Sequence, residues 1–154
     1  MEERIEPPED LLHWRTMVEI GLPVGSAFGA FCDAARIQEW VPDVVVKSVR
    51  VRTPSGLVSH ADLEAWVAGA RVPFAVRCTY DANRLFVRWQ TLPEDADGTG
   101  GTVAFLPLGP RRSLMIFDMH EPRVSDIWSM SFEARVARTR AILESFRRWA
   151  EVRA

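Results

Sequence analysis

Two polar side chains in the strand-like run LMIFDMH are the first candidates for chemistry. Alternation places Asp118 and His120 on one face of this run, and Met115, Phe117 and Met119 on the other. With the Asp118 face inward, a carboxylate and an imidazole could share acid–base work. With the methionine face inward, the run would form a soft lining suited to a flexible apolar molecule. Both faces begin with apolar residues, so alternation leaves the choice open, and we favour the methionine face.

The face that carries Asp118 also carries Leu114 and Ile116. If the methionine face points inward, these two aliphatic side chains are exposed on the outside of the sheet. Exposed apolar patches are typical of contact surfaces, so the run predicts self-association as a homodimer.

A second polar set alternates with small and apolar residues earlier in the chain. His60, Asp62 and Glu64 would share one face of a strand, an arrangement that could suit a metal ion or acid–base chemistry. Half-buried antiparallel strands more often place such a set on the solvated back of the sheet. We therefore expect these residues to meet Arg50 and Arg52 across a neighbouring strand, and we predict no metal site.

Tyr80 is the remaining candidate, at the end of a strand on its presumed inner face. Its hydroxyl could position a ligand carbonyl or bond to the backbone, whereas Arg77 alternates against the apolar set and is expected in solvent. No glycine-rich phosphate loop, G-x-S-x-G or H-E-x-x-H motif is present. Cys32 and Cys78 are the only cysteines, which argues against a disulfide framework and a structural zinc site. The sequence thus predicts neither a cofactor nor a firm catalytic set.

The bulk properties are those of an ordinary globular domain. The chain has 154 residues, 47% of them apolar, and a net charge of −2, which does not favour nucleic acid as a partner. Its opening residues lack an apolar run of signal-peptide length, and no segment is long and apolar enough to cross a bilayer. We therefore expect a cytoplasmic protein with a flexible tail over residues 1–12 and a single domain over 13–154.

The pattern of the chain changes twice. Residues 13–24 alternate as a strand, after which Ser26 and Asp33 are candidate caps for two short helices, the second ending near Trp40 because Pro42 follows. Six strand-like runs separated by turn residues then follow up to residue 122, at spacings typical of an antiparallel meander.

The final segment has a helical period. From Ser125, a candidate N-cap, apolar or small residues recur every three or four positions, and Arg138 lies on the opposite, polar side. About 27 residues would give a helix roughly 40 Å long. The stripe consists of Trp128, Phe132, Val136, Thr139, Leu143, Phe146 and Ala150.

This order of elements predicts a cavity. A seven-stranded antiparallel sheet must cover one face, and one long helix is the main element available to do so. Because a twisted sheet curves, a single helix laid in its concavity fills only part of the space. An apolar hollow that remains would be a candidate ligand site.

The block VEIGLPVGSAFGAFCDAARIQEWVPDVV carries a resemblance to a known family. A strand ending in Pro-Val, an aromatic at Phe28, Phe31-x-Asp33 and Trp40-x-Pro42, with the long last helix, resembles the START-related helix-grip superfamily (SRPBCC). That superfamily includes lipid-transfer proteins, polyketide cyclases and coenzyme Q-binding proteins, and the resemblance covers about residues 18–149. It implies an α+β helix-grip fold, in which a curved seven-stranded antiparallel sheet wraps around the C-terminal helix. It also implies a pocket gripped by that helix, with the Trp-x-Pro corner at its mouth, and it brings no universal catalytic signature.

We therefore predict that the protein binds a hydrophobic small molecule, such as a lipid, quinone or aromatic polyketide. A polyketide cyclase, aromatase or dehydratase acting in the same cavity is the enzymatic alternative, with Tyr80, Asp118 and His120 as the candidate catalytic residues. A protein-interaction module is a further alternative. The side chains predicted to line the cavity are Phe28, Phe31, Trp40, Leu63, Ala65, Phe74, Val76, Tyr80, Val87, Trp89, Met115, Phe117, Trp128, Phe132 and Leu143.

Overall fold

A computed structural model describes residues 11–67, 69–92, 98–122 and 131–153. The elements follow the order that the sequence predicts: one strand, two short helical segments, six strands and a long helix. In chain order they are β1 Leu11–Ile20, α1 Val24–Cys32, a 3₁₀ helix Ala34–Glu39, β2 Val44–Arg52, β3 Val58–Val67, β4 Ala70–Asp81, β5 Phe86–Leu92, β6 Gly100–Gly109, β7 Arg112–Pro122 and α2 Phe132–Arg153.

The strands form one antiparallel sheet in the order β1-β7-β6-β5-β4-β3-β2. Each strand from β2 to β7 pairs with its neighbour in sequence, as short connections dictate. β1 instead pairs with β7, so α1 and the 3₁₀ helix carry the chain from one edge of the sheet to the other. This confirms the predicted seven-stranded helix-grip architecture.

The boundaries of several elements differ from the sequence-based prediction. β1 begins at Leu11, so the last two residues of the predicted tail are part of the sheet, and the division into tail and single domain stays a prediction. α1 begins directly after Pro23, without the cap predicted from Ser26, and Asp33 precedes the 3₁₀ helix without a side-chain cap bond. Proline at a helix start already has a compatible φ and lacks the N–H that would need a partner.

The terminal helix is shorter at its start than predicted. It begins at Phe132, and the Ser131 hydroxyl accepts a hydrogen bond from the Ala134 N–H at 3.1 Å, so Ser131 rather than Ser125 caps it. Its 22 residues span about 33 Å. The predicted segment 125–130 lies outside the described residues.

One side of α2 is buried against the inner face of the sheet. Its buried residues are Arg135, Thr139, Leu143, Phe146 and Ala150. A hydrogen bond joins α2 to β1, in which the Trp14 indole N–H donates to the Thr139 hydroxyl at 3.1 Å. The predicted stripe is therefore confirmed from Thr139 onward, but Arg135 takes the buried position one turn earlier, where Val136 was expected.

The corner between the 3₁₀ helix and β2 is a tight turn that is bonded to β3. Asp43 has a φ of 63°, a left-handed conformation that aspartate tolerates better than most residues. Its carbonyl accepts a hydrogen bond from the Trp66 N–H at 2.9 Å and ties the corner to β3. Trp40 is thereby held against the interior, only 5% exposed.

Gly101 in β6 lies where a side chain of any other amino acid would collide with its neighbours. A Cβ at this position would lie 2.4 Å from the Asp118 carbonyl oxygen and 3.1 Å from the Trp89 indole nitrogen. We expect Gly101→Ala to lower the free energy of unfolding by about 1–3 kcal/mol, because the backbone of β7 must move. Gly109→Ala is the matched control, since a Cβ there meets nothing within 4 Å. Equal denaturation midpoints for the two variants would contradict this account.

No helix among the described residues combines the length and hydropathy needed to span a bilayer.

Candidate ligand-binding cavity

A cavity of about 300 Å³ lies between the inner face of the sheet, the Trp40–Val44 corner and α2. Its wall is mostly aromatic and aliphatic, as is typical of small-molecule sites. Most of the residues predicted for such a wall lie on it: Phe31, Trp40, Leu63, Ala65, Phe74, Val76, Tyr80, Val87, Trp89 and Phe117. That they bind a ligand stays a prediction.

Four predicted lining residues lie elsewhere in the described chain. Phe28, Met115 and Leu143 are instead buried in the core between α1, β6, β7 and α2. Phe132 is 42% exposed and packs edge-on against Trp14, because the buried side of α2 passes through Arg135 instead. Trp128 lies outside the described residues.

Trp40 belongs to both the cavity wall and the core. Its ring lies 4.9 Å from Phe146 and 5.7 Å from Phe31, between centroids. Its indole nitrogen is buried and has no hydrogen-bond partner among the described residues. The residue thus lines the hollow at the corner and also packs against α2.

The cavity reaches the surface beside this corner. Pro42, Asp43 and Trp66 line it and are themselves exposed. The Trp66 ring is covered by the Arg71 guanidinium, 4.8 Å from its centroid. This supports the predicted mouth at the Trp-x-Pro corner.

The other end of the cavity contains an ionic cluster that the sequence-based prediction missed. Glu121 Oε1 accepts a hydrogen bond from Arg138 Nη2 at 3.0 Å, and Glu121 Oε2 lies 3.3 Å from Arg135 Nη1. Arg135 also donates to the Pro122 carbonyl at 2.6 Å. The side chains of Glu121 and Arg135 are fully buried, and Glu121 and Arg138 line the cavity.

Burial lowers the pKa of the Arg138 guanidinium, and the charge and hydrogen bond of Glu121 oppose that shift. The prediction that Arg138 lies on the solvated side of the helix was wrong. For Glu121 a signal existed, because extending the alternation of Met115, Phe117 and Met119 by one step places it on the inner face.

Three threonines surround this polar end. Thr91 donates a hydrogen bond to the Thr99 carbonyl at 3.2 Å, and Thr139 donates to the Arg135 carbonyl at 3.0 Å. The Thr99 hydroxyl, on a side chain that is 3% exposed, has no partner among the described residues. The cavity is therefore amphipathic: aromatic and aliphatic over most of its wall, and polar where β5, β6 and β7 face α2.

Tyr80 lines the cavity, but its hydroxyl is already engaged. It donates to the Val58 carbonyl at 2.6 Å, and burial raises its pKa well above the ordinary value. The neighbouring Cys78 thiol also lies on the wall, and burial raises its pKa to about 11. Both groups are protonated at neutral pH, so neither is an activated nucleophile or base.

Asp118 and His120 do not reach the cavity. The methionine face of β7 points inward, as preferred above, with Phe117, Met119 and Glu121 on the wall. Asp118 lies on the outer face, where both its oxygens accept hydrogen bonds from Arg15, at 2.7 and 3.1 Å. His120 lies opposite His13, with 5.9 Å between ring centroids. Neither side chain of this pair is therefore placed to act on a molecule inside the cavity.

The polar set of β3, which includes Asp62 and Glu64, lies on the outer face of the sheet, as predicted. Asp62 accepts hydrogen bonds from Arg50 at 2.6 Å and from Ser48 at 2.9 Å, and Glu64 lies 3.8 Å from both Lys47 and Arg71. Arg52, also expected there, instead donates to the Gly56 carbonyl. Over the described ranges, no three side chains of histidine, cysteine, aspartate or glutamate converge as metal ligands would.

His120 makes stability depend on pH. Burial, and then the neighbouring His13 ring, lowers the pKa of His120 below its usual 6.5. Between the lowered value and about 6.5, the unfolded chain binds a proton that the folded chain does not, so protonation favours unfolding. We expect the free energy of unfolding to fall as the pH falls through this interval, and His120→Gln to flatten the profile. Urea denaturation between pH 5 and 7.5 measures this, and a wild-type profile that rises toward pH 5 would contradict it.

Comparison with solved structures agrees with this architecture, although no protein-family model and no curated protein matches the chain. The Zhui aromatase/cyclase of Streptomyces sp. R1128 superposes with a TM-score of 0.76 at 17% identity, over 93% of this chain and 95% of that one. A START superfamily protein of Mycobacterium smegmatis gives 0.66 at 18% identity, over 92% and 95%. Ara h 8.0201 gives 0.66 at 8% identity, over 91% and 97%.

These similarities extend over nearly the whole of each chain. The protein therefore has the START-like helix-grip fold, as the resemblance of its N-terminal block implied. At such low identities the comparisons establish the fold, and function must be argued from the cavity.

Proposed function

We propose that this protein binds a hydrophobic small molecule in the cavity between the sheet and α2. The observation that carries the proposal is the hollow itself, about 300 Å³ lined by aromatic and aliphatic side chains. Close packing is the rule in protein interiors, and an apolar hollow of this size loses dispersion contacts unless something occupies it. Lipids, quinones and aromatic polyketides all have the required apolar surface.

The volume favours a compact ligand within these classes. About 300 Å³ is at the lower end of the range for small-molecule sites. A ligand that buries about 200 Å² of apolar surface gains roughly 5 kcal/mol before the entropic cost of binding. A medium-length acyl chain or a fused aromatic ring system fits this description better than a two-chain phospholipid.

An aromatase or cyclase is the second candidate, and a specific observation favours it. The similarity to the Zhui aromatase/cyclase is accompanied by polar groups on the cavity wall, where a reactive chain would need them. Carrier ranks above catalyst because the Tyr80 hydroxyl is bonded to backbone and Asp118 and His120 lie outside the cavity. Turnover of an aromatic polyketide precursor by the purified protein would reverse this ranking.

Fluorescence titration with N-phenyl-1-naphthylamine, a neutral apolar dye, tests the proposal. We expect saturable enhancement with one dye per chain and dissociation in the micromolar range. Native mass spectrometry of protein purified from its own host adds a second readout, a bound small molecule that denaturation releases. Absence of saturable dye binding in a folded sample would contradict the carrier and the enzyme alike.

Self-association and location remain proposals. Half-buried Leu114 and Ile116 lie on the outer face of the sheet beside exposed Met17 and Leu106. These side chains form an apolar patch that supports a homodimer or, alternatively, contact with another protein. Sedimentation equilibrium distinguishes a dimer from a monomer, and a monomer at high micromolar concentration would exclude the dimer. A cytoplasmic location and a lack of nucleic-acid binding likewise stay predictions.

A further inference from the structure

We propose that the ligand carries a carboxylate on its compact apolar body, and that Arg138 binds this carboxylate at the polar end of the cavity. This inference rests on the proposed function and specifies the chemical class of the ligand. The Thr99 hydroxyl is the second contact, and Glu121 positions the arginine.

The first argument is placement. Arg138 supplies the cationic group among the described wall residues, and the apolar wall formed by Phe74, Val87 and Trp89 belongs to the same hollow. A ligand with its apolar body against these side chains would therefore have its polar group near Arg138. One ligand could therefore contact the apolar wall with its body and Arg138 with its polar group.

The second argument is the fixed orientation of the guanidinium. Arg138 donates to Glu121 at 3.0 Å, and its side chain is 25% exposed. Glu121 is fully buried and also lies beside Arg135, which bonds to the Pro122 carbonyl. Arg138 also lines the cavity, so the side chain that Glu121 holds lies on the wall that a ligand would contact. Because folding already orders this side chain, the ligand does not have to.

The third argument is the Thr99 hydroxyl. It is buried on the cavity wall and has no hydrogen-bond partner among the described residues. Buried hydroxyl groups are normally satisfied by protein, water or ligand. A carboxylate bound at this end of the cavity offers two acceptor oxygens, one for the guanidinium and one for a hydroxyl donor.

The charge of the cluster favours a carboxylate over a phosphate. The described cluster pairs the Glu121 carboxylate with two guanidinium groups, those of Arg135 and Arg138, so a monoanion neutralises its formal charge and a dianion exceeds it. A monoanion also carries less charge into a buried site than a dianion does.

Matched pairs of acid and alcohol test the inference in the full chain. Decanoate and 1-decanol carry an acyl chain, and 2-naphthoate and 2-naphthalenemethanol carry a fused ring; each is titrated at pH 7.5 by displacement of N-phenyl-1-naphthylamine. We expect the acid of at least one pair to bind about fivefold or more tightly than its alcohol, and the tighter pair identifies the class of apolar body. Arg138→Gln should weaken the acid by about tenfold or more and leave the alcohol within about twofold.

Three further variants complete the design. Arg140→Gln, an exposed arginine on the same helix, should leave all affinities unchanged. Thr99→Val, which removes the hydroxyl at nearly constant shape, should weaken the acid selectively. If Arg138→Gln does not fold, Arg138→Lys replaces it, and this variant should lose part of the preference for the acid.

The outcomes separate the two proposals. Equal binding of acid and alcohol, or a preference that survives loss of the Arg138 guanidinium, overturns this inference and leaves the apolar carrier intact. Failure of the dye and of all four probes to bind overturns the carrier itself.

Discussion

Ala65→Trp is expected to weaken binding of the neutral apolar dye strongly while the protein remains folded. Ala65 is 1% exposed on the inner face of β3, and its side chain lines the cavity. An indole at this position would occupy space that the ligand needs, so we expect affinity to fall at least about tenfold. The dye titration measures the loss, and circular dichroism verifies the fold.

Ala75→Trp is the matched control for this substitution. Ala75 lies on β4 between the inward-facing Phe74 and Val76, so its side chain points to the outer face. The same change in volume there should leave dye affinity within about twofold. If Ala65→Trp binds the dye as tightly as wild type, the dye binds somewhere other than this cavity.

Glu121→Gln is expected to produce the largest loss of stability. The substitution keeps the shape of the side chain but removes a fully buried carboxylate that lies 3.3 Å from Arg135 and 3.0 Å from Arg138. Removing one partner of a buried ion pair costs about 3–5 kcal/mol, because the remaining charge loses its compensation within the interior. Chemical denaturation at pH 7.5 measures the change.

Glu144→Gln provides the comparison on the surface of α2. Glu144 is exposed and pairs with Arg147 at 2.7 Å, and such surface pairs contribute about 0–1 kcal/mol. A loss for Glu121→Gln no larger than that for Glu144→Gln would show that the cluster at the cavity end is not structurally important.

The strands were the most predictable part of the fold. β2 was predicted with its observed limits, because β-branched residues alternating with charges have no competing interpretation as a helix. In β7 both faces begin with apolar residues, so alternation could not choose between them, and packing against β6 and α2 turned Met115 and Phe117 inward.

The ends of helices and the polar part of the cavity were the least predictable. The helical period continued beyond Phe132, but the buried side of α2 includes Arg135, whose charge is compensated by a glutamate on a distant strand. A periodicity of apolar residues cannot reveal a buried arginine, because arginine is usually exposed and is therefore assigned to the polar side of a helix. Only the three-dimensional arrangement brings Glu121 and Arg138 together.

Xenon binding in crystals of the protein tests the central claim most directly, since an apolar cavity admits xenon without any assumption about the natural ligand. We predict an anomalous difference peak enclosed by the side chains of Phe74, Val87 and Trp89, with the backbone unchanged. A crystal structure in which these side chains fill the space between β5 and the Trp40 corner, with no xenon among them, would contradict it.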